Sequence, residues 1–150
     1  MINTGIAGSL NADINIGDIV VSTDLIHHDM NAVAFGYPVG QIPQMEAFSF
    51  HSDDALRALA VKACKEANPD IEVFEGRIAS GDQFVADQGV KDFITKEFGA
   101  YAVEMEGAAI GQVCFVNEIP FVVIRSISDD ASGHAPTCYE SFFKEAAQRA

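Results

Sequence analysis

Apolar residues recur at helical spacing in several stretches of the chain and run continuously or alternate in the segments between them. From Ser52, the residues Leu56, Leu59, Ala60, Ala63, Cys64 and Ala67 share one face, with Ser52 or Asp53 as cap and Pro69 past the end, which predicts a helix covering a sheet face. A second helix carries Val90, Phe93, Ile94 and Phe98 and stops at Gly99, and a third, mostly apolar, runs from Ala108 to Val116. A last helix is predicted to begin near Thr137 or Tyr139. Strands are predicted within Gly17 to Thr23, Ile71 to Ala79, Tyr101 to Val103 and Pro120 to Ile127, and Met45 to Phe50 is read as extended. The unbroken run Phe121, Val122, Val123, Ile124 implies burial on both faces. Pro38, Gly40 and Pro43 mark an irregular loop.

This alternation of strand and helix predicts one α/β domain over residues 1–150 with a largely parallel sheet. In such sheets ligands gather at loops beyond the carboxyl ends of the strands. Thr4 to Gly8 reads as a glycine-rich turn of the kind that follows a strand, and Met1 to Asn3 are too few to supply that strand. Phe142 to Ala150 keep helical register without a stop signal. The expectation is a piece of a longer protein.

Composition narrows the classes of partner. A formal charge of −13, with no local cluster of Lys or Arg, argues against nucleic acid and anionic membranes. No apolar run is long enough to span a bilayer, and no leader-like segment opens the chain. Cys64, Cys114 and Cys138 are odd in number and widely spaced, which fits buried thiols of a cytoplasmic protein better than a zinc site or redox pair. His27, His28 and Asp29, and likewise Asp129, Asp130 and His134, lack the spacing of facing metal ligands.

Three polar groups sit where buried strands are predicted to end: Ser80-Gly81-Asp82-Gln83-Phe84, Val103-Glu104-Met105-Glu106 and Arg125-Ser126-Ile127-Ser128-Asp129. Taken singly, an Asp or Glu before a helix is a cap and Phe84 is core packing. Arg125 is more demanding, because an arginine after four apolar strand residues must find a carboxylate, carbonyl or anionic ligand to offset its desolvation.

Together with Asn3-Thr4-Gly5-Ile6-Ala7-Gly8, Gly17-Asp18-Ile19-Val20-Val21 and His28-Asp29, these segments resemble the 5′-methylthioadenosine/S-adenosylhomocysteine nucleosidases over essentially the whole chain. The resemblance implies a three-layer αβα sandwich of the nucleoside phosphorylase type, incomplete at the N-terminus, a homodimer, and no metal or organic cofactor. Its implied ligands are small-molecule adenine thionucleosides, hydrolysed to adenine and a 5-thio-substituted ribose. The match assigns Asp129 to protonation of N7, with Ser128 orienting it, and Glu106 to the ribose hydroxyls with Met105 beside the sugar. It assigns Phe84 to stacking on adenine, backbone groups of Val85 to the base edge, and Ala7 and Gly8 to the substrate-binding glycine segment. Arg125 matches the residue that helps hold the attacking water. Tyr139 takes the place of an aromatic, usually phenylalanine, lining the 5′-alkylthio pocket. Ala32 and Phe35 match a segment inserted into the partner subunit's site.

Protonating the leaving base suits an N-glycosidic cleavage, in which the ribose gains oxocarbenium character and the purine gains negative charge. The family's water-activating glutamate has no counterpart here, and Glu46, Glu75 and Glu104 do not align with it. The resemblance therefore implies little or no turnover by these residues alone. The competing readings are a purine nucleoside phosphorylase, an aminodeoxyfutalosine-type nucleosidase and a non-catalytic adenosine-binding fragment.

Overall fold

The computed structural model describes residues 1–129. Along the chain these form β1 (Ile2–Ser9), β2 (Ile19–His27), a 3-10 turn (Val33–Phe35), β3 (Phe50–His51), α1 (Asp54–Ala67), β4 (Val73–Ser80), α2 (Gln88–Phe98), β5 (Ala102–Glu104), α3 (Gly107–Val116) and β6 (Val122–Asp129). Two of the helices begin as local chemistry dictates. The Asp53 carboxylate accepts from the Leu56 amide at 2.9 Å and Asp87 from the Val90 amide at 3.0 Å, satisfying donors that the first turn leaves open. Gly99 ends α2 in the left-handed region, φ 63°, where its amide reaches the Thr95 carbonyl.

The sheet is mixed rather than largely parallel. Its order is β3-β2-β4-β5-β1-β6, and β6 returns to pair with β2, so that five strands close on themselves. The β1–β6, β2–β4 and β4–β5 pairs are parallel, and the β1–β5, β2–β3 and β2–β6 pairs antiparallel. Closure leaves few open edges for another chain to add to.

Alternation along the strands sorts the helices into layers. Ile19 and Val21 of β2 and Val122 and Ile124 of β6 pack on Ala60 and Cys64 of α1. On that same face Ile26, Ala79 and Val103 meet Ile94 and Phe98 of α2. The opposite face puts Val20, Leu25, Ile78, Ala102, Val123 and Ile127 against Ala108 and Cys114 of α3. Helices thus cover both faces, as expected for an αβα sandwich.

The expectation for Thr4 to Gly8 is overturned. These residues are strand: all five pair with β6, and at Gly8 β5 joins on the other side. The glycines are there for space: a Cβ on Gly5 would lie 3.3 Å from Arg125 Nη1, and one on Gly8 only 2.8 Å from Asp129 Oδ2. Other bounds move by a few residues. The predicted strand at Gly17 to Thr23 continues to His27, because Asp24 inside it is met by Arg77, whose Nη2 lies 2.6 Å from its carboxylate. Met45 to Phe50 shrinks to the two-residue β3. The strand predicted to end at Ile127 carries on to Asp129, all eight of its residues buried. The helix predicted near Thr137 or Tyr139 lies outside the described residues.

Candidate active site

The strand pairing gathers the chemistry. Ser80 at the end of β4 stands beside Glu104 at the end of β5, and Gly8 of β1 lies between Val103 on one side and Asp129 on the other. With no side chain on Gly8, the floor between β5 and β6 stays open. Gly8, Gln83, Phe84, Val85, Val103, Glu104, Met105 and Asp129 line a single cleft there. The three polar groups picked out in the sequence do converge.

Asp129 is 3% exposed. Ser128 Oγ lies 3.0 Å from its Oδ1 and 3.4 Å from the Ala7 carbonyl oxygen, so the hydroxyl can orient the carboxyl group. On the other side Lys91 Nζ of α2 is 3.6 Å from Oδ2, both side chains being almost fully buried. The sequence reading missed Lys91. Its signal was available, since Lys91, Ile94 and Phe98 share the inward face of α2.

Phe84 is 49% exposed and Met105 43%, both on the cleft, whereas Val85 is buried. Glu106 is exposed at the N-cap of α3, yet its side chain makes no capping bond. That duty falls to Glu104, two residues earlier. Its carboxylate, 2% exposed, accepts from the Gly107 amide at 2.8 Å and 3.0 Å and from the Glu106 amide at 3.3 Å. It also accepts from the Ser80 hydroxyl and from Arg125 Nε and Nη2, the Nε bond measuring 3.1 Å. Ser80 Oγ in turn receives the Ala108 amide at 2.7 Å.

Arg125 therefore has the carboxylate its burial demanded. It also donates from Nη2 to Asn3 Oδ1 at 2.7 Å and from Nη1 to the Ile124 carbonyl at 3.1 Å. These bonds among the described residues leave one Nη1 hydrogen, on the atom nearest Gly5.

Ala32 is buried just before the 3-10 turn, and Phe35 is 84% exposed on it. Neither lines the cleft. Tyr139 lies outside the described residues.

The histidine pair divides its work. His27 Nε2 is 3.1 Å from Gln112 Oε1, and Asp29 accepts the Asp82 amide at 2.7 Å. His28 is buried, and its Nε2 has no hydrogen-bond partner among the described residues. Burial holds its imidazole below the ordinary value; Asp29 and Glu104 only partly offset this, and His27 adds to it. Among the described residues no three His, Cys, Asp or Glu side chains are grouped to hold a metal ion. Asp130 and His134 lie outside those residues. No helix of the described residues is long and apolar enough to cross a membrane.

A broader groove lies against α1, lined by Ile2, Leu56, Leu59, Ala60, Ala63, Cys64, Ala67, Asn68 and Ile124. It is almost wholly apolar, and its one titratable group is the Cys64 thiol, which burial pushes up, so the cleft at Gly8 remains the candidate site.

Comparison with known proteins bears on the family and the fold. The family described as the Phosphorylase superfamily matches residues 1–150. The 5′-methylthioadenosine/S-adenosylhomocysteine nucleosidase of Bacillus cereus (strain B4264) is 45% identical over 148 residues, covering 98% of this chain and 63% of that protein. The chain thus spans less than two thirds of the length of this curated relative. Among solved structures, the Helicobacter pylori futalosine hydrolase superposes with a TM-score of 0.91 at 40% identity, over 99% of this chain and 62% of the other. The Helicobacter pylori 5′-methylthioadenosine/S-adenosylhomocysteine nucleosidase with butyl-thio-DADMe-Immucillin-A gives 0.91 at 42% identity, with the same coverage.

Proposed function

The chain belongs to the phosphorylase superfamily, and from that premise we propose that its cleft binds 5′-methylthioadenosine and S-adenosylhomocysteine and serves hydrolysis of their N-glycosidic bond. One observation carries the reading. A buried carboxyl group, Asp129, and an exposed aromatic ring, Phe84, line one cleft over Gly8, and next to Met105 on its rim the start of α3 carries a carboxylate, Glu106, that does not cap its own helix.

In this reading Phe84 stacks on adenine and the Val85 backbone meets the base edge. Asp129 donates a proton to N7, and Ser128 keeps the carboxyl group aimed at it. Glu106 grips the ribose 2′- and 3′-hydroxyls and supports the positive charge that the sugar develops, with Met105 packed beside it. Ala7 and Gly8 border the sugar. Arg125 offers its remaining Nη1 hydrogen to the attacking water, and Tyr139 faces the 5′-alkylthio group. Ala32 and Phe35 reach the site of a second copy, so that a homodimer completes the pocket. The exposure of Phe35 supports that role. We place the protein in the cytoplasm, where the free thiols Cys64 and Cys114 would stay reduced.

The test titrates the chain with 5′-methylthioadenosine and with adenine by calorimetry in phosphate-free buffer, and follows adenine release. Expected are tighter binding of the nucleoside than of the base, and a roughly tenfold loss of nucleoside affinity in Glu106→Gln with adenine spared. Release that requires phosphate would make the site a phosphorylase. Failure to bind either ligand overturns the reading.

The similarity to a futalosine hydrolase supports a second reading, in which the same adenine pocket and ribose carboxylate take an aminodeoxyfutalosine-type nucleoside. Preference for that nucleoside in the same titration would select it.

A further inference from the structure

We propose that Glu104 is a positioning residue which ties Arg125 to the ribose carboxylate Glu106. Glu106 stands at the N-cap of α3, where an acidic side chain ordinarily folds back onto the first amides. Ser80 has taken the Ala108 amide, one of the two that an N-cap side chain ordinarily reaches, while Glu104 holds the amides of Glu106 and Gly107 beside it. The first turn of α3 is thereby clamped from below, and the Glu106 side chain is left facing outward. Gly107 permits the clamp: a Cβ there would lie 3.1 Å from both Glu104 oxygens.

The same carboxylate holds the Arg125 guanidinium in a buried ion pair. Loss of either partner strands a charge, so the two sides of the reaction centre, ribose and water, share one anchor. Glu104 borders the cleft, but its carboxylate is 2% exposed and committed to Arg125, Ser80 and the α3 amides, so its action on the sugar runs through Glu106. This inference rests on the reading of Glu106 as the ribose carboxylate.

Two variants test it. Glu104→Gln removes the charge that Arg125 pairs with and puts a donor where Oε1 accepts from Ser80 and Gly107, so the Gly107 amide loses one of its two acceptors to a facing NH2 group. The double variant Glu104→Leu with Arg125→Met removes the ion pair as a unit, which avoids an unpaired buried charge and keeps the chain folded. In both, amide exchange at Gly107 in the ligand-free chain should rise about tenfold. The ratio of adenine to 5′-methylthioadenosine dissociation constants should fall by about the same factor. A purely structural loss would weaken both ligands alike. Unchanged exchange at Gly107, or equal loss for base and nucleoside, overturns the proposal. If Glu106→Gln leaves the ratio untouched, it is the ribose reading that fails, and exchange alone then judges the anchor.

Discussion

Gly8 and Asp129 are paired neighbours in the sheet, and no side chain larger than hydrogen fits between the strand backbone of the one and the carboxylate of the other. A Cβ on Gly8 would stand 2.8 Å from Oδ2 and 3.3 Å from both Cγ and Oδ1. Because β1 is held between β5 and β6, the backbone has little room to retreat. Gly8→Ala should therefore turn the Asp129 carboxyl group away from its Ser128 contact. We expect a stability loss of about 1–3 kcal/mol in urea unfolding, with nucleoside binding weakened at least as much as in Glu106→Gln. A variant that binds normally would show that the close approach has no bearing on ligand.

Lys91→Met should be far more costly than Lys96→Met on the same helix. Lys91 is buried beside Asp129, whereas Lys96 is exposed. Removing one partner of a buried pair costs about 3 kcal/mol or more, and an exposed lysine close to nothing. Equal unfolding midpoints for the two variants would rule out a stabilising pair.

Asp24 gives the fold a defined acid sensitivity. Burial pushes its carboxyl group up, but hydrogen bonds from Arg77 and Ser49, with the charges of Arg77 and His51, outweigh this and hold it below the ordinary carboxylate value. A folded value below the unfolded one means that its contribution is complete above the unfolded value and is lost as the pH falls through the folded one. Because Arg77 is part-exposed, Asp24→Asn should cost about 1–2 kcal/mol near neutral pH, less than for a fully buried pair. Its deficit against the parent chain should shrink as the pH falls through and below the ordinary carboxylate range. A deficit independent of pH in urea titrations would place the effect in packing.

Phe35→Ser separates folding from association. A side chain 84% exposed contributes little to the fold, so the melting temperature should hold within about 2 °C. If Phe35 inserts into a second copy, sedimentation should show a weakened dimer. Unchanged self-association would remove that residue from any interface between copies.

The helices were legible in the sequence because their signals are local. Asp53 and Asp87 cap them, and Gly99 ends the second. The convergence of Phe84, Met105 and Asp129 was legible too, once each was placed at the end of a buried strand. What was not legible depends on residues far apart in the chain. Gly5 and Gly8 look like turn residues until Arg125 and Asp129, some 120 positions later, occupy the space they leave. The demand of Arg125 for a carboxylate could be read from its apolar neighbours, but not that Glu104 would answer it. Nor does periodicity announce that β6 returns to β2, since pairing across such separations leaves no local trace.

That pairing sets an order of events during synthesis. The β6 strand that β1 lies against emerges more than a hundred residues after it. Until then β1 lacks its longest ladder, and contacts so distant in sequence close slowly. The helices and the β2–β4 pair can assemble on the nascent chain while the cleft has neither Asp129 nor an occupied floor at Gly8. The complete cleft is thus a late acquisition, and a chain released before residue 129 would hold much of the core but not the Asp129 carboxyl group.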